Sequence, residues 1–317
     1  MKKGMLLLAL LAVSCQLVRR GGKDDSLPVR DFPRAEAPSL YGEGPERLEW
    51  TVAHFWDRFT DTDEAFACDS VTVNGVALSE VESQMGLFTT LLRQVPPEAG
   101  VRAVAGLFDR AEAFERKYPQ TNVFEELSRL TRYYLYDPNS PVRNEDLYQP
   151  YVARLGGSDL VDEAYRKGYA WDARLCGLNR VGTPAADFSF TDTRGRVRTL
   201  YGVRADYVLL IFGNPVCKAC RELMEAMSAS PRIAALSGSG RLQVVDIYID
   251  RDIDDWKARV PEYPSGWING YDHAYAIRTD LLYNVRGIPT VSLLDAAKTV
   301  LLKDAVEDDI LEALNNL

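Results

Sequence analysis

The chain has 317 residues, 46% hydrophobic and 26% charged, an ordinary globular composition with enough apolar mass for about two domains. A formal net charge of −9 argues against a basic surface for phosphate, so no nucleic-acid partner is expected. The five cysteines divide unequally along the chain, and their spacing carries most of the chemistry.

Residues 1–14 read as an export signal. Lys2 and Lys3 make a basic start, Met5 to Val13 an apolar run too short to span a bilayer, and Ser14 a small residue before Cys15. Ala12-Val13-Ser14-Cys15 resembles a bacterial lipobox, with Ala12 where Leu is more usual. The resemblance implies cleavage before Cys15, lipidation of its thiol, and a membrane partner reached through the lipid anchor. The location implied is the cell envelope, facing the periplasm or in the outer membrane. An ordinary secretory signal with an incidental cysteine is the alternative. Loss of residues 1–14 removes two lysines and no acid, taking the net charge from −9 to −11. Residues 15–45 are rich in Gly, Pro and charge without apolar periodicity, which predicts a disordered tether.

Residues 46–178 predict an all-α domain. Leu48, Val52, Phe55 and Phe59 fall on one helical face, and similar stripes run through 79–94, 98–117, 122–136 and 158–172. Pro96-Pro97, Pro119 and Pro138 punctuate them, and Asn144 offers a cap for a further helix after the Asp137–Pro141 turn. His54, Trp56 and Trp171 read as packed core residues. Cys68 and Cys176 either bridge or remain buried free thiols; the sequence supplies no Cα distance, and free thiols are the simpler expectation.

The pattern changes at Val181-Gly182-Thr183-Pro184, so residues 179–317 predict a second, α/β domain. A hairpin is expected from Asp187–Asp192 and Arg196–Leu200 about a turn at Gly195. Tyr207–Phe212 and Leu242–Ile249 are continuous apolar runs, typical of strands buried on both faces. A helix starts at Cys217, and further helices are expected over 252–260 and 273–282. The strand pair 290–294 and 299–302 precedes a closing helix over 307–314.

Cys217-Lys218-Ala219-Cys220 stands just after the first buried strand, at the start of a helix. Unsatisfied N–H groups and the helix dipole favour a thiolate there, and Lys218 adds a cation beside it. A Cys217 thiolate can attack a disulfide, and Cys220, one turn further in, can resolve the mixed disulfide. Lys218 and Ala219, between the two cysteines, are the residues placed to tune the pair. Structural zinc needs a second pair of ligands that the sequence lacks, so no metal is expected. A static crosslink closing so short a loop offers little stabilisation.

These residues resemble the thioredoxin superfamily, particularly its envelope branch of TlpA- and ResA-like proteins. Ala186-Asp187-Phe188-Ser189-Phe190 with Gly195 matches that branch's hairpin, Cys217–Cys220 its redox motif and Gly287-Ile288-Pro289-Thr290 its cis-proline loop. The resemblance implies that Ile288-Pro289 is a cis bond packed against Cys217, where backbone and ring bind the client strand. His54–Asp57, Leu135–Pro141 and Trp267–Asp272 further resemble a group of Bacteroidetes thioredoxin-family lipoproteins with an N-terminal helical domain of unknown function. Departures are Val216 where a Trp usually precedes the first cysteine, and Ile211 where thioredoxin keeps a buried Asp. Asp246 and Asp250 are the nearest substitutes. An insertion between about 251 and 284 carries Trp256, Trp267 and Tyr271. These either border a client groove or pack inside the insertion, the second being the simpler reading.

The function implied is a lipid-anchored thiol–disulfide oxidoreductase that reduces protein or small-molecule disulfides. Its only redox cofactor is the Cys217–Cys220 disulfide, recharged by an unidentified membrane electron donor. The alternative is a binding or assembly lipoprotein whose helical domain holds a partner.

Overall fold

The computed structural model describes residues 27–119 and 121–317; the expected export signal, Cys15 and the first part of the expected tether lie outside these residues. The helical part comprises α1 (Pro45–Ala53), α2 (Asp57–Thr60), a two-residue hairpin of β1 (Thr72–Val73) and β2 (Val76–Ala77), α3 (Leu78–Leu92), α4 (Pro97–Lys117), α5 (Val123–Tyr136), α6 (Glu145–Leu155) and α7 (Glu163–Cys176). Proline occupies the first turn of α1 and α4, where its missing N–H costs nothing. Asn144 caps α6 by accepting the Leu147 N–H at 3.0 Å, and Asp162 caps α7 by accepting the Ala164 N–H at 2.8 Å. The β1–β2 turn is Asn74-Gly75, both at positive φ, the backbone a two-residue hairpin requires.

The tether is shorter than its composition predicts. Phe32 is 8% exposed and packs on Phe55, Trp56 and Phe59. Arg30 donates to the Asn74 and Phe59 carbonyls at 3.0 and 2.9 Å, with its guanidinium 4.0 Å above the Phe66 ring. One aromatic and one arginine are enough to dock a polar segment whose average composition reads as disordered. Two other expectations need correction. Trp171 is 43% exposed and carries Arg174 over its ring, so it is a surface aromatic. His54 stacks on Trp50 and meets Asp57 at 2.6 Å in a half-exposed position outside the core. Trp56 is buried. Cys68 and Cys176 are unpaired thiols, and burial pushes Cys176 up to about 12.

The second part is built on β3 (Ser189–Asp192), β4 (Val197–Thr199), β5 (Tyr207–Gly213), α8 (Lys218–Ala229), α9 (Pro231–Gly238), β6 (Leu242–Tyr248), α10 (Ile253–Arg259), β7 (Ile268–Tyr271), α11 (Ala276–Thr279), β8 (Thr290–Asp295), β9 (Val300–Leu302) and α12 (Glu307–Asn315). They form one seven-stranded mixed sheet in the order β4-β3-β7-β6-β5-β8-β9. β5, β6 and β7 run parallel, and β8 runs antiparallel to β5. Successive residues of β5 feed two cores. Val208, Leu210 and Phe212 pack with the β3 hairpin and Tyr283, whereas Leu209 and Ile211 pack with Leu223 and Met227 of α8 and Ile310 and Leu314 of α12.

Of the two helices expected in the insertion, that over 252–260 forms as α10, whereas that over 273–282 shrinks to the single turn of α11. The insertion also contributes strand β7, which joins the β3 hairpin to the parallel strands. Gly270 is required there, because a Cβ would lie 2.6 Å from the Phe190 ring. Asp272 accepts the Ala276 and Ile277 N–H groups at the start of α11, which is a single turn. Trp256 is buried against Tyr248 and Tyr271, and Trp267 lies against the α8-side core, so these aromatics pack the insertion itself.

Candidate active site

α8 begins where the chain leaves β5 at Gly213. Asn214 fixes the turn. Its side chain accepts the Val216 N–H at 2.8 Å and donates to Asp250 at 2.6 Å, and its carbonyl accepts the Cys217 N–H at 3.1 Å. Arg221 donates to the Pro215 and Val216 carbonyls from one turn into the helix. Cys217 is therefore the N-cap of α8, with extended backbone, and its sulfur accepts the Cys220 N–H at 3.3 Å. Cys217 and Cys220 are both half-buried, unpaired thiols, so this is the dithiol form.

The Ile288–Pro289 bond is cis, and the Ile288 carbonyl accepts from Cys217 Sγ at 3.7 Å. Residues 71 positions apart in sequence thus share one surface with the cysteine pair. Ala219 and Val216 are exposed on it, Val216 at 52%. Lys218 is also exposed, but its ammonium pairs with Glu222 at 3.1 Å, so a carboxylate shares the cation expected beside Cys217. Cys15 lies outside the described residues.

Behind the pair lies a buried carboxyl. β6 turns Leu242, Val244 and Asp246 toward the α8 side, and Asp246 sits directly opposite Ile211 in the ladder. A Cβ built on Gly213 would lie 3.8 Å from both Asp246 oxygens and 3.8 Å from Cys220 Sγ, so carboxyl and thiol both flank that glycine. Burial pushes Asp246 up to about 7, with no offsetting donor or cation among the described residues. Burial likewise pushes the Cys220 thiol up, reinforced by its hydrogen bond with Cys217 and opposed by the Asn214 N–H. Tyr263 of the insertion is also raised by burial and then by the charges of Asp246 and Cys220. Asp250 instead holds Asn214 and pairs with Arg278 at 3.4 Å.

The proline loop is anchored to the helical domain. Glu145, in the first turn of α6 and 1% exposed, accepts from Asn284 at 2.7 Å and Arg286 at 2.8 Å and pairs with Lys303 at 2.8 Å. Arg286 also pairs with Asp304 and lies 4.2 Å over the Tyr136 ring. Pro138 is in close contact with Gly287, where a Cβ would come within 3.0 Å of it.

A family model described as a domain of unknown function, DUF5106, matches residues 14–172. The crystal structure of a thioredoxin-like protein from Bacteroides caccae superposes with a TM-score of 0.77 at 34% identity, covering 90% of this chain and 98% of that one. The chain belongs to this thioredoxin-like family, with an N-terminal DUF5106 domain. The C-terminal domain of an uncharacterized protein from Bacteroides fragilis is 42% identical over 43% of this chain and 98% of that one, with a TM-score of 0.42. The thioredoxin domain of a thiol-disulfide oxidoreductase from Bacteroides vulgatus is 22% identical over 43% of this chain and 96% of that one, with a TM-score of 0.39. No curated protein matches the sequence.

In this thioredoxin-like protein, sequence reasoning brought Asp246 and Asp250 forward as equals, and geometry separates them. The signal for Asp246 was an acid inside a buried apolar strand. Period-two alternation with Val244 could have assigned its face. Tyr263 and Glu145 carried no such signal, because each acts through partners remote in sequence.

Proposed function

We propose that this protein is an envelope thiol–disulfide oxidoreductase, anchored through a lipid on Cys15, that reduces client disulfides with Cys217 and Cys220. The observation that carries the reading is Cys217 Sγ at the cap of α8, 3.3 Å from the Cys220 N–H and 3.7 Å from the Ile288 carbonyl. That arrangement gives an attacking sulfur an N–H donor on one side and a client-facing backbone on the other. The half-buried Cys220 stands one turn away.

Cys217 attacks as the thiolate. Its sulfur bonds one client sulfur, and the other client sulfur leaves as a thiolate and takes up a proton. Cys220 then gives its proton to the Asp246 carboxylate, directly or through one water, and attacks Cys217. The second client sulfur departs and is protonated. Two electrons have passed to the client, and the protein holds the Cys217–Cys220 disulfide. A membrane dithiol donor returns two electrons, and two protons restore the thiols. Ile288 and Pro289 bound the client strand at Cys217.

The reading is tested with the reduced protein and glutathione disulfide. One protein disulfide should form per molecule as two glutathione thiols appear. Cys217→Ser should lose the reaction; undiminished exchange by that variant refutes the assignment. The anchor has a separate test, since Cys15→Ser should move the protein from the membrane fraction to the soluble one.

A further inference from the structure

We propose that the DUF5106 domain is the docking platform for the client: its α5–α7 groove holds an extended polypeptide whose disulfide lies at Cys217. The inference rests on the redox reading above and adds a role for the helical domain.

Both α5 and α7 pack on α6, and Arg132 of α5 meets Asp172 of α7 across the space between them. The space between them, lined also by Asn284, Val285 and Arg286, is a groove of about 1070 Å³. Its helical walls are aromatic and polar. Tyr133 from the last turn of α5 is 57% exposed, and Tyr165 from the first turn of α7 is 68% exposed. Tyr165, Tyr169 and Asp172 share one face of α7 at spacings of four and three, and Arg132 lies across from them, 3.9 Å from Asp172. Exposed tyrosines with few rotatable bonds are surfaces that bind polypeptide at low entropic cost.

The floor offers groups for a main chain. Arg286 lines the groove; Glu145 and Asp304 hold its other two nitrogens, while Nη1 is buried with no acceptor. A client carbonyl reaches that donor when the Arg286 side chain shifts toward the groove, since Nη1 has no solvent-exposed surface here. Asp172 stands at the groove as an acceptor, and burial pushes its carboxyl up.

Continuity with the redox centre selects the occupant. Pro138 and Arg286 line the groove, and Pro138 touches Gly287, the neighbour of Ile288. The Ile288 carbonyl is 3.7 Å from Cys217 Sγ. A client strand leaving Cys217 along this loop needs only about two extended residues, roughly 7 Å, to pass from Ile288 to Arg286. A polypeptide reaches both places at once, whereas a small disulfide reaches only the first. The Leu135–Pro141 segment thus acquires a task, joining the groove to the proline loop.

Single-turnover exchange by the reduced full chain tests this with two probes, glutathione disulfide and a long unstructured peptide carrying one glutathione mixed disulfide. The peptide should half-saturate at a much lower concentration than glutathione disulfide. Tyr133→Ala/Tyr165→Ala should raise that concentration about tenfold and leave the glutathione disulfide rate unchanged. A Cys217→Ser/Cys220→Ser protein should bind the same peptide, with its cysteine replaced by serine, and lose about tenfold in Kd when both tyrosines are removed. Unchanged peptide kinetics and Kd in the tyrosine variant overturn the groove while the redox reading stands. So does an equal loss on both probes, or a change in the mass of the particle in light scattering with peptide Kd unaffected, which assigns the groove to a second copy. No exchange by wild type with either probe overturns the redox reading itself, and the groove with it.

Discussion

Glu145 and Asp246 are both buried carboxyls, and their surroundings are opposites. Glu145, at the seam between the two domains, meets Asn284, Arg286 and Lys303 within 2.8 Å. Asp246, behind the redox pair, has burial as the one influence on its proton affinity. A saturated carboxylate fixes geometry, and here it fixes the segment that leads into the Ile288–Pro289 loop. A bare one leaves its proton free to move, and here it faces Cys220. The difference separates a structural anchor from a candidate acid–base group; in sequence Asp246 stands in an apolar run, whereas Glu145 lies between Asn144 and Asp146.

The largest effect that sharpens the contrast is expected at the seam. Glu145→Ala leaves Arg286 and Lys303 buried without their shared anion, and should cost about 3–5 kcal/mol in chemical denaturation. A loss under about 1 kcal/mol would mean that the seam is solvated in solution.

Asp246→Asn should act in the opposite direction on stability. The folded carboxyl titrates near 7 against 3.8 for the ordinary value, so the native state binds the extra proton between those pH values. Stability of the wild type therefore falls as pH rises from about 4 to about 7 and stays low above. The variant lacks that slope and should be the more stable protein at pH 8, by up to the order of 4 kcal/mol, with no gain at pH 4. The same variant should slow Cys220 attack on a Cys217 mixed disulfide about 100-fold at pH 8, as stopped-flow exchange would record. Equal pH profiles for the two proteins would remove Asp246 from the mechanism.

The smallest effect is expected at Lys218. Its ammonium is exposed and tied to Glu222, so Lys218→Ala should change the rate of attack by less than about fivefold. A larger drop would restore the cation to Cys217.

Much of the second domain is legible in the sequence, because buried strands such as Tyr207–Phe212 and the Cys217–Cys220 spacing are local signals. The hairpin at Asn74-Gly75 carries an equally local signal, a turn dipeptide set between helical stripes. β7 was not legible, since Ile268–Tyr271 alternates weakly and owes its strand to Phe190 packing over Gly270. The docked end of the tether was hidden for a related reason. Phe32 and Arg30 act singly, and composition averages them away. At the site, the sequence singles out the Cys217–Cys220 pair and Pro289, which the fold brings together, but not the face on which each carboxylate lies. It gave no hint that Arg286, beside the proline loop, binds the helical domain, because Glu145 is 141 residues distant.

The account depends most on the division of labour between the two sulfurs, and mass spectrometry of trapped mixed disulfides reads it directly. With a peptide glutathione mixed disulfide, Cys220→Ser should accumulate a stable adduct on Cys217, and Cys217→Ser should accumulate none. Equal adducts on both variants, or an adduct on Cys220 alone, would contradict it.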